Sequence, residues 1–166
     1  MTTGTRGTPA DMPTLEEVEA HERDLVLPRG DLAFLYGLGT RMADDALARG
    51  LPLVIQVRLG RRLVFAAALP GSTESNHRWA RRKSRIVEHF EQSSMRVRLV
   101  NERDGEDVGV RHSLPVERYA AHGGAFPLLV AGVGFVGVVV VSGLPQADDH
   151  AFVVEHLRSH IAEAGA

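Results

Sequence analysis

The sequence has no cysteine, which excludes disulfides, thiolate zinc sites and a cysteine nucleophile and leaves His, Asp and Glu as the possible metal ligands. It has no strong charge of one sign. A formal net charge of −2 over 166 residues sets up no global field toward nucleic acid or anionic lipid, so neither is expected as a partner. No apolar run is a convincing membrane span: the longest, Phe126 to Gly143, is short and interrupted by glycine. The first 13 residues carry no apolar segment of the secretory kind, which makes the cytoplasm the expected location. Residues 1–13 are expected to be a flexible tail, and residues 14–166 a single domain large enough to bury a core without staples.

What is present is organised around Phe126 to Gly143. Its density of β-branched residues predicts two adjacent buried strands, with Gly132 and Gly134 reversing the chain between them. Polar punctuation flanks this hairpin: His122-Gly123-Gly124 before it, and Ser142-Gly143 followed by Asp148, Asp149 and His150 after it. Upstream, Thr14 and Glu17 form a capping box for a first helix, whose Glu16, Glu19 and Glu22 have a spacing able to present carboxylates to iron and equally usual on a solvated helix face. Asp31 caps a second helix with Leu32, Leu35, Leu38, Met42 and Ala46 on one stripe. Leu53 to Leu59 alternates as a half-buried strand, and Gly60-Arg61 turns it into a second strand from Arg62 to Leu69.

A third helix, about Ser75 to Gln92, buries Trp79, Ile86, Val87 and Phe90 and crowds Arg78, Arg81, Arg82, Lys83 and Arg85 into two turns. These cations are either a solvated face neutralised by the acidic first helix or an anion site, since guanidinium groups pair carboxylates and phosphates bidentately. No aromatic platform interleaves them for nucleic acid. Met95 to Arg103 reads as a helix, Asp104 to Pro115 as an exposed loop, Val116 to Ala121 as one helical turn, and the stretch from Asp148 as a last helix with Val153, Leu157 and Ile161 inward. Adjacent hairpins make the sheet mostly antiparallel with helices on at least one face, an α+β domain.

The segments A-A-H-G-G-A-F-P, V-G-V-V-V-V-S-G-L-P-Q-A-D-D-H and W-A-R-R-K-S-R-I-V-E-H-F-E-Q-S-S resemble the haem-degrading-domain (GlcG-like) family, in its subgroup of small uncharacterised cytosolic proteins, from about Leu15 to His160. The resemblance implies a profilin-like fold with about five central strands, homo-oligomers, and in some members binding of haem or iron and assistance of haem breakdown. It leaves open whether the chain is an enzyme. Carried over position by position, its recurrent polar residues fall on Trp79, Arg82, Lys83, Ser93, Ser94, His122, Gly123, Gly124, Ser142, Gly143, Asp148 and His150.

Of these, Arg82, Lys83, Ser94, His122, Gly123, Gly124 and Ser142 form the expected cofactor-binding set, and His122 and His150 the expected metal ligands. His122 precedes two glycines whose N–H groups can nest an anion, and its imidazole can act as base, axial ligand or turn hydrogen-bonder. His150 beside Asp148 and Asp149 can be a ligand steadied by a carboxylate. His156 and His160 stand four apart but lack the His-Glu-x-x-His order, and read as solvated cations near a helix C-terminus. Ser142-Gly143 lacks the G-x-S-x-G elbow. Two functions follow as expectations: binding of a small anionic ligand, haem or iron being the named cofactor, or a non-enzymatic oligomeric interaction module. The two-faced apolar run Val138 to Val141 predicts a homo-oligomer, because it needs cover on both sides.

Overall fold

The computed structural model describes residues 10–166. In chain order the elements are α1 (Leu15–Asp24), β1 (Val26–Leu27), α2 (Leu32–Ala48), β2 (Val54–Leu59), β3 (Arg62–Ala68), α3 (Glu74–Phe90), α4 (Ser94–Asp104), α5 (Val108–His112), β4 (Ala125–Val130), β5 (Gly134–Ser142) and α6 (Gln146–Ala164). The Thr14–Glu17 capping box opens α1, and Asp31 accepts the Phe34 N–H at 3.0 Å to open α2, as their side chains require.

The strands form one sheet in the order β1-β4-β5-β2-β3. All pairings are antiparallel except β1 with β4, where Val26 and Leu27 face Leu129 and Val130. This is the expected α+β architecture with five strands. The two-residue β1 is too short to carry a period of its own, so nothing local announces it. Within the segment expected to be loop, Asp107 caps the short α5 by accepting the Val110 N–H at 3.1 Å, while residues 116–118 make a turn rather than a turn of helix.

Helices cover both faces. Val139 and Val141 of β5 join Leu35, Leu38, Met42 and Leu157 in the core beneath α2 and α6, whereas Val138 and Val140 pack with Val54, Ala80 and Val87 beneath α3. The strand expected to be half-buried, β2, is therefore buried on both faces, Val54 and Gln56 included. The cover that Val138 to Val141 demands comes from within the chain, which removes that physical reason for expecting a second copy. The exposed edge is β3, where Leu63 is 52% exposed.

Of the expected tail, residues 1–9 lie outside the described residues. Ala10, within them, donates its N–H to Asp148 Oδ1 at 2.8 Å, so the stretch ahead of α1 is seated on α6.

Candidate functional site

Helix α3 turns Ala80, Ile86 and Val87 into the core. Arg78, Arg81, Arg82 and Arg85, spaced three, four and seven residues apart, consequently share the opposite face. They line a groove of about 510 Å³ together with Trp79 and, from the turn after α5, Val116 and Glu117. Trp79, expected in the buried stripe, is only half-buried and forms an apolar wall of this groove. The Arg82 guanidinium lies over its ring, 4.5 Å from the centroid, and is held there because its Nε and Nη2 donate to the Val116 carbonyl at 3.1 and 2.7 Å. Arg85 donates to the Arg118 carbonyl at 3.3 Å.

The acidic first helix does not neutralise this ridge. Glu19 and Glu22 pair instead with Arg96 of α4 at 3.2 and 2.6 Å, and Glu22 also accepts the Ser93 N–H at 2.7 Å. Those carboxylates are spent in packing α1 against α4, which overturns the iron-presenting reading of Glu16, Glu19 and Glu22.

Lys83 departs from the ridge altogether. It is 2% exposed, and its Nζ donates to the Gly123 carbonyl at 3.0 Å, the Val141 carbonyl at 2.6 Å and Asp149 Oδ2 at 2.9 Å. An ammonium has three donors and all are used, so Lys83 is a tie between α3, the strands and α6, not a hand for a ligand. Burial pulls its pKa below the ordinary lysine value and pushes the Asp149 carboxyl above its own, with the contact between them offsetting both shifts.

The His122-Gly123-Gly124 nest is filled in the same way. The Gly123 N–H donates to Gln146 Oε1 at 3.3 Å, and both glycines are buried. Gly124 has φ +124°, and a Cβ there would lie 2.5 Å from Lys83 Nζ and 2.6 Å from the Val141 carbonyl oxygen, so only glycine admits the tie. Ser94 Oγ accepts the Ala125 N–H at 3.1 Å and faces the Ala125 carbonyl at 3.3 Å, clamping the start of β4. Ser142 is buried at the end of β5 opposite Val54. Of the seven expected cofactor-binding residues, only Arg82 lines the groove. Lys83, Ser94, Gly123, Gly124 and Ser142 are interior, and His122 stands behind Trp79, ring centroids 4.8 Å apart and nearly perpendicular.

His122 Nδ1 is buried without a hydrogen-bond partner, and burial, reinforced by Arg98, Lys83 and Arg82, lowers its pKa. His150 lies elsewhere, 2% exposed, with its Nε2 3.2 Å from His21 Nδ1 of α1. Burial first, and His21 second, depress its pKa to about 3. The expected steadying carboxylates are engaged otherwise: Asp149 holds Lys83, and Asp148 holds the Ala10 N–H. Nothing local in the sequence singles out His21, because its partner stands 129 residues away. His156 and His160 are interior, not solvated: His156 Nδ1 bonds the Phe152 carbonyl at 2.8 Å and Nε2 meets Asp45 at 3.1 Å, and His160 Nε2 bonds the Phe34 carbonyl at 2.9 Å. Among the described residues no group of three or more His, Asp or Glu side chains is placed to hold a metal ion, and no helix is long and apolar enough to cross a membrane.

The Haem degrading protein HbpS-like family matches residues 32–158, and the chain belongs to that family. A UPF0303 protein of Burkholderia thailandensis is 45% identical over 150 residues, covering 90% of this chain and 91% of that protein. Among solved structures, the Ybr137w protein superposes with a TM-score of 0.80 at 24% identity, covering 91% of this chain and 90% of that one. A structure of a PduOC–haem complex superposes with a TM-score of 0.66 at 16% identity, covering 80% of this chain and 94% of that one. At such identities the structural likenesses speak for the fold.

Proposed function

We propose that this HbpS-like chain binds a planar ligand carrying carboxylates, with haem the candidate, in the groove along α3. The observation that carries the reading is the set of four arginines on one helix face beside the indole of Trp79. Guanidinium groups bind carboxylates through two parallel hydrogen bonds, and the pinning of Arg82 by the Val116 carbonyl lowers the ordering cost of doing so. The indole and Val116 supply the apolar contact a macrocycle needs. Membership of a family described by haem degradation, and the haem held by a protein of the same fold, support the choice of ligand.

The lining fits the periphery of haem better than its iron. It includes no His, Met, Tyr or Cys, the side chains that usually hold haem iron. Haem would therefore be held by propionates and face, with His122 acting on it only through the orientation of Trp79. Haemin titration followed by absorbance tests this: saturable one-to-one binding that weakens about tenfold or more in Arg81→Ala supports it, on about 1.5–3 kcal/mol for a sheltered charge-assisted bond. Equal affinity of the parent and the Arg81→Ala and Arg82→Ala variants would remove the groove as the site. Adding a reductant to the saturated complex tests haem breakdown, read as loss of the haem bands.

The second reading, an oligomeric interaction module, is favoured by the uncovered edge of β3. An edge strand paired on one side only, with an exposed leucine and no proline, is a template for pairing with another chain, and a second copy is the proposed occupant. Both readings can hold together, because the groove and the edge lie on different elements.

A further inference from the structure

The pair His21–His150 joins α1 to α6 at one end of a groove of about 350 Å³, to which Asp11, Pro13, Glu155 and Arg158 also contribute. Its geometry is specific. The ring centroids are 5.4 Å apart and the facing nitrogens 3.2 Å. The difference, 5.4 − 3.2 = 2.2 Å, is taken up by the two ring radii, so both nitrogens lie close to the line joining the ring centres and the N–H of one points in-plane at the lone pair of the other.

Head-on imidazoles cannot chelate an ion that wants its ligands near the tetrahedral angle. They suit an ion content with two collinear nitrogens, which is the habit of monovalent copper and silver. We propose that His21 Nδ1 and His150 Nε2 form a two-coordinate site for such an ion, Cu(I) by nature and Ag(I) as its redox-inert surrogate.

With metal–imidazole bonds of about 2 Å, an ion on that line needs the nitrogens roughly 4 Å apart, so the rings must part by less than about 1 Å from their present contact. His21 is half-buried on a surface helix, which leaves α1 room to give that distance. Four-coordinate zinc is disfavoured because no third His, Asp or Glu ligand completes a cluster among the described residues. The surroundings suit a soft, weakly hydrated ion: Ala147, Ala151 and Val154 wall the groove, and the Phe126 ring lies 6.1 Å from that of His150. Arg158 opposes a cation, while Asp11 and Glu155 on the same groove attract it.

The protons balance without release. In the empty pair one imidazole donates its N–H to the other. On metal binding that ring takes its other tautomer, carrying the hydrogen on its outer nitrogen, and both inner lone pairs go to the ion.

The absence of cysteine removes the usual competitor for Ag(I). Titration of the full chain with silver nitrate in chloride-free buffer, followed by calorimetry and by the histidine ring resonances, is expected to give one tight equivalent that shifts His21 and His150 together. His21→Ala, at a half-buried position, should lose that equivalent or weaken it at least tenfold, with circular dichroism unchanged. If the parent binds no Ag(I), or if His21→Ala binds it as the parent does, the site is wrong. Zn(II) binding as tight as Ag(I) would overturn the two-coordinate geometry. If His21→Ala does not fold, the resonances of the parent decide: shifts confined to other histidines overturn the assignment.

Discussion

Lys83 Nζ and Asp149 Oδ2 meet at 2.9 Å with both side chains 3% exposed, and the same ammonium closes two carbonyls, Val141 on β5 and Gly123 in the turn ahead of β4. Removing one partner of such a pair leaves a buried charge without compensation, which costs about 3–5 kcal/mol. Lys83→Ala is therefore expected to lower the urea midpoint sharply. Lys83→Met combined with Asp149→Leu should be less destabilised than either single variant, since no charge is left stranded. A Lys83→Ala protein of parental stability with weakened haemin binding would return Lys83 to the ligand.

Gly124→Ala places a methyl against Lys83 Nζ at a positive φ, so strain and a broken tie add. The strained conformation alone costs roughly 1–3 kcal/mol, so a loss of at least that size is expected. Chemical denaturation measures it, and a neutral result would mean that the loop moves aside freely.

His150 has a folded pKa of about 3 against an ordinary value of 6.5. Below about pH 6.5 the unfolded chain gains a proton at this residue that the folded chain refuses until about pH 3, so its contribution falls as pH falls. The slope is up to about 1.4 kcal/mol per pH unit for one proton. Stability against pH, measured for the parent and His150→Gln, should show the parent losing more between pH 6 and 4. Parallel curves would mean that the imidazole is charged in the folded state.

His122→Ala is expected to leave the haemin absorption maximum where it is and to reduce affinity modestly, because the ring supports Trp79 and does not line the groove. A displaced maximum would make it an axial ligand.

Light scattering should report a mass above 18.0 kDa for the parent and a lower one for Leu63→Lys, which puts a charge on the exposed edge strand. A parental mass of one chain would remove the β3 interface.

Much of the fold was legible because it is periodic. The Leu35–Leu38–Met42 stripe of α2 and the valines of β5 each repeat at the spacing of their element, and the cap residues Thr14 and Asp31 bond as their positions imply. What was not legible depends on partners distant in sequence. Lys83 stands four residues after Trp79 and three and four before Ile86 and Val87, on the inward stripe and apart from the four arginines; what no local pattern shows is the partner that lets it stay there, Asp149, 66 residues away. His21 and His150 are single histidines on separate helices, and only the packing of α1 against α6 makes them a pair. The glycines after His122 read as a cradle in the sequence because glycine serves equally where a ligand approaches and where a neighbouring side chain does. The expected site was thus mostly the scaffold behind the groove, with Arg82 the one residue common to both.

The strand order has a consequence for synthesis. β4 and β5 sit between β1 and β2, so Val26 waits for Leu129 and Val54 for Ser142. While the first half of the chain leaves the ribosome, β2 and β3 can form only a two-stranded hairpin, with one margin of β2 and its oily surfaces uncovered. Closure of such distant pairings is slow, and a half-made sheet with open margins is prone to clump. A nascent chain of this topology is therefore a natural client for chaperones until the last third has emerged, and truncation anywhere before β5 would leave it there permanently.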